Sequence, residues 1–265
     1  MVALAVRVAR RSAAAGVVVA GVALWELAAA LLQASGSRLA SSKLPYPHAI
    51  AARAVDEAPL LANAVWVTAR GALVGLVIGT VLGLGISLLL AQSRVLESAV
   101  YPYVVGGQMV PTIALAPIIL TALRDPTATR IIVATYITFF AITIGVLKGL
   151  KSVAPEALEL MRSYNAGRLA LYTKLRIPGS LPLAFAGLKV AAPLAVVGEI
   201  VVELTGATSG LGYLILTSQY YGPAFATLFW ASMLVTLALG FAFYQAVALL
   251  ERVASPWQHE FRSRW

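Results

Sequence analysis

Residues 71–90 read Gly-Ala-Leu-Val-Gly-Leu-Val-Ile-Gly-Thr-Val-Leu-Gly-Leu-Gly-Ile-Ser-Leu-Leu-Leu, twenty positions without a charge. A helix rising 1.5 Å per residue crosses a hydrocarbon core of roughly 30 Å in about 20 apolar residues. The stretch is a membrane span, and the rest of the chain has the same character. Of its 265 residues 60% are hydrophobic and 12% charged, and the mean hydropathy is +0.86. A soluble domain carries roughly a quarter charged residues, and a water-soluble fold of this length could not cover so much apolar surface. The fold class is all-α: a polytopic membrane protein, one transmembrane domain over 1–265. A soluble enzyme domain is excluded.

Six stretches have span length, at about 13–33, 63–91, 98–122, 129–147, 182–204 and 225–250. Glu26 is the only charge in the first; Arg70 lies near the start of the second; the fifth holds Lys189, Glu199 and Glu203. With the N-terminus in the cytoplasm, thirteen of the 20 Lys and Arg fall on the cytoplasmic side, including six in the loop 148–181, and five fall outside. Basic residues collect in cytoplasmic loops, so both termini are expected in the cytoplasm of a multi-pass cell-membrane protein. The same rule accounts for the net charge of +9 without nucleic acid. The first span, which contains Trp25 and Glu26, is too long and too polar for a signal-peptide core and is expected to be retained. There is no cysteine, and only His48 and His259 could serve histidine chemistry. No metal site, catalytic residue or cofactor bound by this chain is expected.

Spacing inside the spans suggests roles. Gly71, Gly75, Gly79 and Gly83 recur every fourth residue, a flat face that lets another helix backbone approach closely. The seam could lie within the bundle or between two copies. Pro111 and Pro117 interrupt the third span; each removes a backbone donor, tolerated where protein or a wet path faces it. Such helices either line pathways or are kinked for shape alone. Glu199 and Glu203 share one face of the fifth helix near its outer end. They either face a cavity at the mouth of a pathway or bond to loop backbone. Gln108, Thr138 and Thr143 complete the polar candidates for a pathway lining.

Two polar stretches join the spans. In 34–62, Leu44-Pro45-Tyr46-Pro47 is an extended entry to a short helix over Ala49 to Glu57. The loop Lys148–Leu181 reads as two short helices. Ser152 caps the first, with Pro155 and Glu156 in its opening turn. Asn165-Ala166-Gly167 breaks it, because Asn and Gly accept left-handed backbone. The second runs through Tyr172 and Lys174 to Arg176, ending before Ile177-Pro178. Met161 and Tyr164, three apart, form an apolar anchor on the first. The pair of helices has the form of a docking element for a soluble partner.

This loop resembles that of the permease subunits of binding-protein-dependent ABC importers. Their motif is Glu-Ala-Ala, three residues, Gly, then about a dozen residues to Leu-Pro. Glu159-Leu160-Met161-Arg162-Ser163-Tyr164-Asn165-Ala166 fits, with Ile177-Pro178 at the expected distance and Ser180-Leu181-Pro182 and Ala186-Gly187-Leu188-Lys189 following. Leu160-Met161 replace the alanines, and Asn165 replaces the glycine. The frame starting at Glu156-Ala157-Leu158 misplaces turn and proline by three residues. Val110-Pro111-Thr112-Ile113-Ala114-Leu115-Ala116-Pro117, Ile137-Thr138-Phe139-Phe140, and Glu203 followed by Ser209-Gly210-Leu211-Gly212-Tyr213-Leu214-Ile215 are similar to the nitrate, sulfonate and taurine branch. That branch's Trp-Phe-Gly after the third span is absent, with Thr121-Ala122-Leu123-Arg124-Asp125 instead, and its fourth-span Pro and Asn are Ala141 and Gly145.

The resemblance, over roughly 60–250, implies a type I permease fold and a role as the pathway of an ATP-driven importer of a small polar solute. It implies a homodimer, two ATPase subunits that use ATP and Mg, and an extracytoplasmic solute-binding protein. It implies that Glu159, Met161, Arg162, Ser163, Tyr164, Asn165, Ala166 and Gly167 form the ATPase dock, and that the chain itself is not an enzyme. Two alternatives come from other classes. A secondary transporter would work without an ATPase. An intramembrane serine hydrolase would use Ser209 in Gly206-Ala207-Thr208-Ser209-Gly210, for which no base stands in the spans.

Overall fold

The computed structural model describes the backbone of residues 2–36 and 40–256 and the side chains of 16–36 and 42–256. His259 and the basic residues Arg7, Arg10, Arg11, Arg38, Arg262 and Arg264 lie outside the described side chains. Every regular element among the described residues is helical: α1 (Val2–Ala34), α2 (Ala40–Lys43), α3 (Pro47–Asp56), α4 (Ala58–Leu90), α5 (Arg94–Gly107), α6 (Thr112–Leu123), α7 (Pro126–Lys151), α8 (Pro155–Ser163), α9 (Arg168–Leu171), α10 (Ile177–Gly206), α11 (Leu211–Tyr220) and α12 (Ala226–Ala254). A π-turn, Tyr172–Arg176, joins α9 to α10, and a 3₁₀ turn, Pro223–Phe225, precedes α12. Among the described residues, five helical stretches are long and apolar enough to cross a membrane, or six where the bent pair α5–α6 is taken as one span. The chain falls into two compact units, Met1–Asn63 with Leu214–Val235, and Ala64–Tyr213 with Thr236–Trp265.

In the first unit, the stretch of chain leading into α3 is tied to α1 by its polar residues. The Trp25 indole donates to Pro45 O at 3.2 Å and meets Trp230 edge-on, centroids 5.2 Å apart. Glu26, the lone charge of the first span, has His48 Nδ1 2.6 Å away. A carboxylate in a span is tolerated when a partner reaches it, and α3 supplies that partner from its first turn.

The second unit is built on α7 lying along α10. Small residues let the two backbones touch. A Cβ on Gly145 would meet Gly187 Cα and Leu183 O, both at 3.0 Å; one on Gly149 would meet Ser180 O; one on Gly198 would meet Ala134 Cα. Around this seam Ala72, Leu76, Ile142, Val146, Leu150, Ala191, Ala192, Ala195, Val196 and Val247 form a buried core. Lys189 of α10 pairs with Glu251 of α12 at 2.8 Å, both largely buried. Ala141 and Gly145, where the branch has Pro and Asn, serve helix packing here: the Ala141 carbonyl lies against Gly187.

The glycine stripe of α4 packs within the chain, against α7. Cβ atoms on Gly75, Gly79 and Gly83 would run into Ala134, Thr138 and Ile142, one α7 turn apart in order. The Ser87 hydroxyl extends the seam, donating to Gly83 O at 2.6 Å and lying 2.9 Å from Thr143 O.

The expected third span is not one straight helix. α5 and α6 meet at a 92° bend. Gly106-Gly107 end α5, and Pro111 stands as the N-cap of α6. Pro117 does not break the chain; it sits inside α6. The bend strands carbonyls that lipid cannot satisfy, and the Tyr136 hydroxyl of α7 donates to Gly107 O at 2.6 Å. After α6, Arg124 adopts a left-handed φ of 52°. Asp125 then caps α7, accepting from Thr127 N at 2.8 Å and Ala128 N at 3.2 Å ahead of Pro126 at the first helical position.

Candidate functional site: the 152–176 loop and the far-end carboxylates

The loop differs from the expected pair of free helices. Ser152 ends α7 rather than starting α8, its hydroxyl donating to Gly149 O at 2.9 Å. α8 begins at Pro155 with Glu156 in its first turn and has no side-chain cap. The second expected helix does not stop before Ile177-Pro178. Arg168–Gly206 is one helical stretch of 39 residues, passing through the π-turn. Pro178 would clash with the carbonyl four residues back and has no N–H to offer it. The wider i→i+5 turn just before it, closed by Ile177 N to Tyr172 O, absorbs the proline.

The break between α8 and α9 is as expected. Asn165 has φ 52°. Ala166 N donates to Met161 O at 3.0 Å and Asn165 N to Arg162 O at 2.9 Å, the paired bonds of a Schellman turn, in which a left-handed residue lets the last carbonyls find donors. Glu159, Arg162, Ser163, Tyr164, Asn165 and Gly167 are exposed, while Ala166 is half-buried.

The apolar anchor is not the pair Met161–Tyr164. Met161 is half-buried on the side of Ala157 and Leu158. Leu160 and Tyr164, one turn apart, project instead, 56% and 76% exposed, and Leu169 beyond the turn is 79% exposed. Four-residue spacing places Leu160 below Tyr164 on one face. Leu160 departs from the motif's alanine, and its apolarity four residues before Tyr164 is the signal in the sequence for this face.

At the other end of α10, Glu199 and Glu203 are fully buried, and they differ. Glu203 accepts from Gly212 N at 2.7 Å and from the Thr68 hydroxyl at 2.8 Å; Leu211 N donates to Thr68 Oγ1 at 3.0 Å. The carboxylate thus satisfies the opening turn of α11, where backbone donors lack helical partners. Gly210 and Gly212 leave room for it, since a Cβ on either would strike Glu203. Glu199 has no hydrogen-bond partner among the described residues for either oxygen and lies against Gly71. A cleft beside it is lined by Arg70, Gly71, Thr127 and Arg130 with Val67, Val74 and Ile131. Arg130 Nη2 donates to Ser209 O at 2.7 Å, which fixes the turn holding Ser209.

The remaining candidates separate. Thr138 and Thr143 are fully buried between helices, their hydroxyls bonded to Ala134 O at 2.8 Å and Phe139 O at 2.7 Å. They pack rather than line an open surface. Gln108, Pro111 and Pro117 are exposed around the bend. Sequence reasoning missed Thr68, although it heads the glycine stripe three residues before Gly71, and it missed Arg130 and Tyr172.

The family described as the binding-protein-dependent transport system inner membrane component matches residues 75–255. The formylaminopyrimidine transport permease protein ThiX of Halalkalibacterium halodurans is 39% identical over 188 residues, covering 70% of this chain and 73% of that one. The riboflavin transport system permease protein RibX of Chloroflexus aurantiacus is 30% identical over 170 residues, 63% of this chain and 62% of its own. The putative aliphatic sulfonates transport permease protein SsuC of Bacillus subtilis is 25% identical over 190 residues, 72% and 68%. Among solved structures, the MetNI methionine ABC transporter in an inward-facing conformation superposes with a TM-score of 0.65 at 22% identity, over 74% of this chain and 96% of that chain. That likeness is one of fold.

Proposed function

Since the chain belongs to the family of binding-protein-dependent transport inner membrane components, we propose that a homodimer of it forms the solute pathway of an ATP-driven importer. Two ATPase subunits dock on the 152–176 loops, and an extracytoplasmic binding protein delivers the solute. The loop side is then cytoplasmic, in keeping with the six basic residues of 148–181. ATP and Mg are used by the ATPase, and this chain makes and breaks no bond. The observation that carries the docking assignment is the exposed pair Leu160–Tyr164 on α8, a helix with no buried residue of its own. An apolar face held out in water by a Schellman turn suits an apolar groove on a partner. Gln108, Pro111 and Pro117, exposed at a broken span, are assigned to the pathway lining.

The solute to try first is an aminopyrimidine, because the relative at 39% identity is named for formylaminopyrimidine transport while riboflavin and sulfonate permeases match at 30% and 25%. The chain should be reconstituted in vesicles with its ATPase and binding protein, and uptake of labelled solute followed with and without ATP. Uptake that requires ATP and the ATPase supports the proposal. Uptake driven by an ion gradient with no ATPase present refutes it.

A further inference from the structure

In α8 no residue is fully buried and only Ala157, Leu158 and Met161 are half-buried, so a displacement of this helix passes to the spans mainly through its two ends. On the N-terminal side the chain leads straight into α7, with Val153 packed 3.4 Å from the place a Cβ would take on Gly179. On the C-terminal side it passes through the Asn165 turn and α9 to the π-turn. There the first side chain after α8 with a hydrogen bond to another span is Tyr172. Its hydroxyl donates to Ala91 O at 3.0 Å, the carbonyl just past α4, where a helix end leaves acceptors unpaired. The Ala91 N–H donates to Ser87 O at 2.9 Å, which fastens this carbonyl to the last turn of α4.

Arg176 seats the tyrosine. Its Nη1 donates to the Tyr172 hydroxyl at 3.0 Å, and its guanidinium lies 5.0 Å from the ring centroid. The hydroxyl thus accepts from Arg176 and donates to Ala91, a chained pair in which each bond polarises the other. Both residues belong to the π-turn, whose i→i+5 spacing leaves it less tightly wound than the helices it joins.

We propose that Tyr172, oriented by Arg176, is the positioning residue through which the loop grips the end of α4, so that loop movement reaches α4 as well as the loop's own helix α10. The proposal rests on the permease assignment above. Movement of α8 would be absorbed at the π-turn if α9 alone carried it. The Tyr172–Ala91 bond ties that joint to a second span.

The test uses the complete importer in proteoliposomes. Solute moved per ATP hydrolysed is measured alongside ATPase co-purification, for wild type, Tyr172→Phe, Arg176→Lys and Ser98→Ala. Ser98 of α5 is exposed and bonds within its own turn, to Val95 O at 3.0 Å. Tyr172→Phe should retain the ATPase but move about five- to tenfold less solute per ATP, the size of effect that follows from losing one part-buried hydrogen bond in one of two states. Arg176→Lys should show a smaller fall, since an ammonium keeps a donor and loses the planar stacking. Ser98→Ala should match wild type. A normal transport-to-ATP ratio in Tyr172→Phe overturns the proposal, and so does a lower yield of complex with an unchanged ratio, which is what a purely structural role gives. If wild type shows no ATP-dependent uptake, the permease assignment fails instead.

Discussion

Thr68 of α4 and Glu203 of α10, 135 residues apart in sequence, share a buried hydrogen bond of 2.8 Å, and together they hold the first turn of α11. Of the two readings open for this carboxylate, a pathway mouth or a bond to loop backbone, its backbone and hydroxyl donors match the second. Thr68→Val, which keeps shape and removes the hydroxyl, leaves Leu211 N and one carboxylate lone pair without partners. It should cost about 1–3 kcal/mol. Thermal unfolding in detergent reads this directly. A variant as stable as wild type would show that solvent takes over both roles.

The α4 stripe makes a paired prediction. Gly79→Leu places a side chain in Thr138 and the Thr135 carbonyl, whereas Gly85, six residues on, has nothing within 4 Å of its Cβ position. The first substitution should destabilise the isolated chain by about 1–3 kcal/mol or more through overpacking, and Gly85→Leu should leave its stability unchanged. Equal melting temperatures would move the seam off this face.

At the loop, Asn165→Gly should be neutral, and Asn165→Val should cost about 1–2 kcal/mol or more, because a left-handed conformation is costly for a branched side chain. Leu160→Asp and Tyr164→Asp should each abolish ATPase co-purification while membrane insertion is kept. Met161→Asp, facing inward, should instead lower the stability of the loop itself, which faster amide exchange over 155–166 would report. Retention of the ATPase by both exposed-face variants would remove the docking surface from α8.

Lys189 and Glu251 are 15% and 5% exposed at the side chain. Glu251→Gln takes the carboxylate partner from the largely buried Lys189 ammonium and should cost about 3–5 kcal/mol, and Lys189→Met completes the cycle. The double variant should recover part of that loss in a thermal-unfolding cycle. Additive losses would mean that the two residues act independently.

Much of this was legible because the bilayer imposes length and apolarity on each span, and because glycines at i, i+4 leave a readable face. The glycine spacing marked the seam but not its partners: Gly75, Gly79 and Gly83 meet Ala134, Thr138 and Ile142, which carry no reciprocal glycine pattern, and Gly71 meets Glu199. Asn165 was readable as a left-handed residue from its chemistry alone. The π-turn was not: Ile177-Pro178 looks like a stop, and only the i→i+5 bonds of 172–176 let the helix run on through it. The bend between α5 and α6 was half legible. Pro111 signals an interruption, but a 92° turn depends on Gly106-Gly107 and on the Tyr136 hydroxyl, which arrives from a distant helix. The roles of Glu199 and Glu203 could not be separated by spacing, because they differ in what surrounds them rather than in where they sit.

The contact of α7 with α10 has a mechanical consequence. Where Gly145 meets Gly187 and Gly149 meets Ser180, backbone rests on backbone, with no layer of flexible side chains to act as lubricant. Sliding one helix along the other by a residue would drive methyl groups into main chain, so the pair resists shear and turns as a single rod. The hinges then fall at the two places where regular winding already stops, 108–111 between α5 and α6 and the π-turn 172–176. Bending is expected at those two places, with α7 and α10 carried round together.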